Sequence, residues 1–107
     1  YIMAKLEGTS PASSLPNQKF EYHIGGFKGI ENVLIRPILV FPFGQFSELV
    51  TEKKTVITVC ANADSWFNNP HDITIKEIPS CTTPGGLAKR IAENYADMFT
   101  VVQITNN

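Results

Sequence analysis

Thr82-Thr83-Pro84-Gly85-Gly86-Leu87-Ala88-Lys89-Arg90-Ile91-Ala92-Glu93-Asn94-Tyr95-Ala96-Asp97-Met98-Phe99 runs directly into Thr100-Val101-Val102-Gln103-Ile104-Thr105. This is the one strong helix signal in the chain, and it passes straight into a strand pattern. Thr82 or Thr83 can cap a first turn through a side-chain oxygen. Pro84 suits the first helical position, where a missing N–H costs nothing. Leu87, Ile91, Tyr95 and Met98 or Phe99 recur at three- to four-residue spacing along one apolar stripe. Lys89, Arg90, Glu93, Asn94 and Asp97 fall on the opposite, polar face, with Lys89 and Glu93 one turn apart. An amphipathic helix buries one face only, so a sheet must lie beneath it.

Working outward, everything upstream reads as short strands and turns. From Lys19 the chain alternates, with Phe20, Tyr22 and Ile24 on one side and Glu21 and His23 on the other, as a half-buried strand does. Gly25-Gly26-Phe27-Lys28-Gly29 reads as a turn. Val33 to Phe41 is apolar on both alternating faces apart from Arg36-Pro37. Since Pro37 cannot donate to a ladder, this strand belongs at an edge or a bulge. Lys54 to Ala61 is rich in β-branched residues and is expected to be the central strand. Ile73, Ile75 and Ile78 suggest a further strand ending at Pro79.

These signals predict an α+β domain, mainly antiparallel, with about five or six strands and one amphipathic helix between the last two. Residues 1–18, rich in Ser, Pro, Gly and Asn, read as a flexible N-terminal arm. Residues 19–107 then form one domain, as a chain of 107 residues with 43% hydrophobic content allows. Met3-Ala4-Lys5 reads like a natural start.

Composition narrows the function. A net charge of −1 argues against nucleic-acid binding through phosphate neutralisation and against a polybasic membrane anchor. No apolar run approaches the ~18 residues that span a bilayer. Cys60, in an apolar run, is expected to be a buried free thiol and Cys81 to lie in a turn. Two cysteines are too few for a disulfide scaffold. The absence of an Asn-x-Ser/Thr sequon leans toward a cytoplasmic or virion setting.

Three groups of residues could carry chemistry. Gly85 and Gly86 at the start of the helix, with Lys89 and Arg90 in its first turns, could hold an anion on free N–H groups, although neither a phosphate-binding loop nor a dinucleotide fingerprint is present. His71 and Asp72 are the best acid–base pair, workable as a dyad only where the backbone is irregular. His71, His23, Asp64 and Cys60 fall at no recognised ligand spacing, so no metal and no cofactor are expected. Finally Phe41, Phe43, Phe46, Trp66 and Phe67 crowd into predicted turns, where exposed aromatics mark association sites. One of the adjacent pair Trp66 and Phe67 should anchor its loop while the other faces a partner, since neighbouring side chains diverge in extended backbone. The expected function is a non-enzymatic protein-binding or self-assembly module of viral or phage type, acting on a protein partner or as a homo-oligomer. The alternative is a small enzyme or anionic-ligand-binding domain built on His71, Asp72 and the Gly85-Gly86 turn.

Overall fold

The computed structural model describes residues 1–106 and contains five strands in two sheets with one helix. The first sheet orders β1 (Ile2–Thr9), β2 (Lys19–Gly25) and β4 (Ser80–Cys81) as β1-β2-β4. The second pairs β3 (Thr55–Ala61) with β5 (Phe99–Asn106). The helix α1 (Gly86–Tyr95) lies between β4 and β5, as its sequence predicts, and packs on β2 and on a short 3-10 segment, Ala63–Phe67. No helix among the described residues is long and apolar enough to cross a membrane.

The β1–β2 hairpin follows from alternation in both strands. Ala4 and Leu6 from β1 and Phe20, Tyr22 and Ile24 from β2 turn to the core, with Leu6 opposite Tyr22 in antiparallel register. Lys5, Glu7, Lys19, Glu21 and His23 alternate with them and form the open face. The first half of the expected flexible arm, Ile2–Thr9, is therefore a strand paired with β2. The remainder, residues 10–18, is a folded connection. Ser13 is buried there; its hydroxyl donates to the Lys19 carbonyl and accepts from the Leu15 N–H. Ser, Pro and Asn suggest disorder by composition, but the same residues close turns by hydrogen bonding to their own backbone.

Two other expected strands are absent. Only Val33 of the apolar run Val33–Phe41 is buried, and the backbone from 33 to 41 pairs with nothing in a ladder. Around Ile73–Ile78, Thr74 closes a turn instead: its carbonyl accepts from the Ile78 N–H and its hydroxyl from the Glu77 N–H. Nor is β3 central. Val56, Ile57 and Val59 are exposed, and β3 belongs to a separate two-stranded ribbon with β5. β-branched residues favour the strand conformation, but they do not decide which strands are covered. The shape reflects this. The radius of gyration is 17.1 Å, against about 13 Å for a compact chain of this length.

The core consists of Tyr22, Ile24, Val33, Trp66, Ile73, Cys81, Ala88, Ile91, Ala92 and Tyr95. Helix α1 contributes the Ile91–Tyr95 stripe anticipated above, with Leu87 partly buried at its start. Its N-cap is Gly85 with φ +150° rather than a threonine, and it ends at Tyr95, so Met98 and Phe99 lie beyond it. The cysteines exchange their expected environments: Cys60 is an exposed free thiol on the ribbon, and Cys81 is a buried free thiol in β4. Tyr22, almost wholly buried, donates from its hydroxyl to the Ile78 carbonyl at 2.7 Å.

Two measurements check this core. Ile91→Ala should cost about 2–4 kcal/mol in chemical denaturation, through lost contacts and an unfilled cavity; a loss under about 1 kcal/mol would mean a solvated helix face. The second check is alkaline. Desolvation, with the Cys81 thiol beside it, pushes the Tyr22 pKa up to about 12 from its ordinary 10.0. Burial raises Tyr95 and Cys81 in the same direction. A group whose pKa is higher folded than unfolded contributes stability that is intact below the unfolded value and is lost as pH climbs toward the folded one. Stability followed by urea unfolding should therefore decline between pH 10 and about 12, and a flat profile there would contradict the buried phenol.

Candidate functional site

The apolar surface of the molecule is concentrated in the irregular segment between Val33 and β3. Ile38, Phe43, Phe46 and Leu49 are 91%, 106%, 68% and 91% exposed. Phe41 is more sheltered, at 38%. The segment is held in place at specific points. A turn closes from the Gln45 N–H to the Pro42 carbonyl at 3.0 Å, with Gly44 at a left-handed φ of +79° that glycine adopts without strain. Gln45 Oε1 accepts from the Ile104 N–H at 2.9 Å, and Asn106 Nδ2 donates to the Phe46 carbonyl at 3.3 Å. Phe43 sits within this turn and Phe46 just after it, both fastened to the rim of the β3–β5 ribbon.

Trp66 and Phe67 are arranged differently from expectation. Trp66 is buried against Tyr95, ring centroids 4.5 Å apart. Phe67 is partly buried and meets Tyr22 edge-on at 5.9 Å. Trp66 is thus a core residue, and Phe67 packs beside it. The reason is backbone geometry: a 3-10 segment turns successive side chains by about 120° rather than the near reversal of a strand, so both rings reach inward.

The loop that carries them is clamped by Asn94, which is fully buried although its residue type suggested the polar face of α1. Its Oδ1 accepts from the His71 N–H at 2.9 Å, while its Nδ2 donates to the His71 carbonyl at 2.7 Å and the Trp66 carbonyl at 3.1 Å. The amide serves His71 as a neighbouring strand would. His71 Nε2 lies 3.2 Å from Glu93 Oε1, so the carboxylate facing this imidazole comes from α1, while Asp72 is exposed. The pair is half open to solvent and joins the loop to the helix.

At the start of α1 the chain places a carboxylate of its own. Glu31 Oε1 and Oε2 lie 3.7 and 3.9 Å from where a Cβ on Gly86 and on Gly85 would stand. An internal carboxylate at this end satisfies the helix dipole. Lys89 Nζ donates to the Asn32 carbonyl at 3.4 Å, and Arg90 Nη1 lies 3.7 Å from the same Gly86 position. A shallow cavity of about 300 Å³ opens here between Lys28, Glu31, Pro84 and Gly85. Of the four residues anticipated as an anion site, Gly85, Gly86 and Arg90 lie near Glu31, while Lys89 is turned to the Asn32 carbonyl.

Two further features escaped sequence reasoning because each brings together residues distant in the sequence. An apolar groove of about 380 Å³ lies between Met3, Val33, Ile35, Tyr95 and Met98. On the open face of the β1–β2 hairpin, Glu7, Glu21 and His23 bring donor atoms within 4.8 Å of one another. The carboxylates there already carry ammonium partners, Lys5 on Glu7 at 2.7 Å and Lys19 on Glu21 at 3.0 Å. Lys5, above all, holds the Glu7 carboxyl below its usual range, and Glu21 holds the Lys19 ammonium above its own. Recognising alternation in residues 2–9 as well as 19–25 would have revealed the cluster.

Asn94→Ala would leave one N–H and two carbonyls unpaired. It should cost about 3 kcal/mol and shift Trp66 fluorescence to the red as the loop loosens. An unchanged emission spectrum would show that the loop is held by its apolar contacts alone.

No curated protein and no solved structure matches the chain. A family model, MbnP, matches residues 1–83, which takes in β1 to β4, the aromatic segment and the Trp66 loop and leaves α1 and β5 outside. With the match extending over more than half of its length, the chain belongs to the MbnP family.

Proposed function

We propose that the chain is a non-enzymatic protein-binding domain whose recognition surface is the apolar segment around Phe41, Phe43 and Phe46. The observation that carries this reading is the exposure of Ile38, Phe43, Phe46 and Leu49 in one segment fastened by Gln45 and Asn106. Large apolar side chains scattered singly over a surface need no explanation, whereas several exposed within one short segment held by specific hydrogen bonds support a docking role. The anchors are of the right kind, since aromatic residues dominate the energetics of protein interfaces.

The enzymatic alternative has less behind it. His71 spends its backbone on Asn94 and its ring on Glu93, and Asp72 is not its hydrogen-bonding partner. The anion-binding alternative meets the Glu31 carboxylate at the start of α1.

A photo-crosslinking residue at Phe43 should capture one discrete protein from native extract, and a control at Glu52 should not. The purified partner should then bind the parent chain at least about tenfold, or 1.4 kcal/mol, more tightly than Phe43→Ser/Phe46→Ser, with thermal stability unchanged. Equal capture at both positions, or equal affinity of both proteins, would overturn the reading.

A further inference from the structure

We infer that β1 is a self-pairing edge, through which a second copy of this chain adds its own β1 antiparallel about a two-fold axis at Leu6. The inference deepens the binding reading above by naming a partner and a second surface, distinct from the aromatic segment. Strand β1 pairs with β2 along one side only. Among the described residues no backbone hydrogen bond reaches its other side. Such a row of free N–H and C=O groups is a template for another strand.

The charge pattern selects the occupant. Within one copy one cross-strand pair is wrongly matched, since Glu7 stands directly opposite Glu21, while Lys5 stands opposite His23 with no carboxylate directly across from it. Like charges placed directly opposite across a sheet destabilise it. One copy relieves this along its strands, through Lys5 with Glu7 and Lys19 with Glu21, and diagonally across them through His23 Nε2, which lies 3.1 Å from Glu7 Oε1. A dyad at Leu6 sets Lys5 opposite the partner subunit's Glu7 and, by symmetry, Glu7 opposite the partner subunit's Lys5. One row of the joined sheet then reads the partner subunit's Lys5, Glu7, Glu21. The next reads the partner subunit's Glu7, Lys5, His23. The Glu7–Glu21 pair gains an ammonium and Lys5 gains a carboxylate directly opposite, and the interface is isologous, as a two-fold dimer requires.

The inward side is compatible with this register. Ala4, Leu6 and Gly8 alternate with the charged positions and are only partly covered, so the dyad brings Leu6 beside the partner subunit's Leu6 with small residues flanking it. The ring of Phe20, opposite Gly8, fills the space a Cβ there would take and keeps this part of β1 packed without a bulky side chain. The competing explanation is that Lys5 guards the edge against any pairing; it predicts a monomer indifferent to the sign of the charge at residues 5 and 7.

Sedimentation equilibrium on the parent chain and four samples decides between these. The parent should reach the dimer mass as concentration rises. Lys5→Glu and Glu7→Lys should each weaken self-association at least tenfold. An equimolar mixture of the two should recover the dimer, because a copy acidic at both positions 5 and 7 then faces a copy basic at both. Lys5→Glu/Glu7→Lys should also dimerise. Recovery on mixing cannot arise from misfolded components, and Lys5→Cys mixed with Glu7→Cys, both in a Cys60→Ser background, should form an intermolecular disulfide as an independent check of register. A parent chain that stays monomeric, single variants that dimerise, or a mixture that neither recovers mass nor cross-links would each overturn the inference. None of these variants touches Phe43 or Phe46, so capture by the aromatic segment stands or falls separately.

Discussion

The buried amide of Asn94 is the constraint on which the packed half of the molecule depends. A side chain on α1 supplies one acceptor and two donors to a loop that has no strand beside it. Without these bonds the Trp66 and His71 carbonyls and the His71 N–H would enter the core unpaired, each costing ~1–3 kcal/mol. With them, Trp66 can lie on Tyr95 and Ile73 can be buried beneath the loop. The loop also closes on itself through the Ile73 N–H and the Phe67 carbonyl at 2.8 Å. Polar satisfaction and apolar burial are therefore one arrangement here: the amide makes it possible to sink backbone that carries aromatic rings.

This explains which parts of the structure are legible in the sequence. The stripe of Ile91 and Tyr95 announces α1, because period and apolar character coincide there. Asn94 does not announce itself, because residue type alone places it on the solvent face, and only the loop it serves reveals that it is internal. Alternation announces β2, but the same alternation in Ala4, Leu6 and Gly8 is masked by the Ser- and Pro-rich stretch that follows. The error at β3 is of another kind. Its β-branched residues do form a strand, yet among the described residues its only ladder partner is β5, and a two-stranded ribbon has little to cover its faces. Trp66 and Phe67 depart from expectation because strand geometry does not apply to a segment that coils. Phe43 and Phe46 are exposed in a turn that Pro42 and Gly44 mark in the sequence.

Exposed surface follows from the same division. The β1–β2–β4 sheet, α1 and the Trp66 loop use most of the chain's buried apolar side chains. The Val33–β3 segment and the ribbon are stitched mainly by polar bonds from Gln45 and Asn106, which position backbone without burying the phenylalanines. The extended overall shape, 52 × 34 × 24 Å, is the visible result.

Magnitudes separate the two candidate surfaces in kind. Fully covering a large apolar side chain contributes ~1.5–3 kcal/mol, so covering Ile38, Phe43, Phe46 and Leu49 together contributes roughly 6–12 kcal/mol. Association itself costs about 4–15 kcal/mol. The aromatic segment alone therefore supports a modest affinity, and tight binding needs a partner that also meets the exposed Val56, Ile57 and Val59 of the ribbon. The β1 edge works by other means. Backbone pairing there replaces water on a regular row of amides, with Lys5 and Glu7 setting register more than strength, because both side chains are substantially exposed and solvent screens an exposed ion pair. A surface that selects by register is suited to recognising one sequence, and the strand that best complements Lys5-Leu6-Glu7 in antiparallel sense is the same strand turned about its own centre.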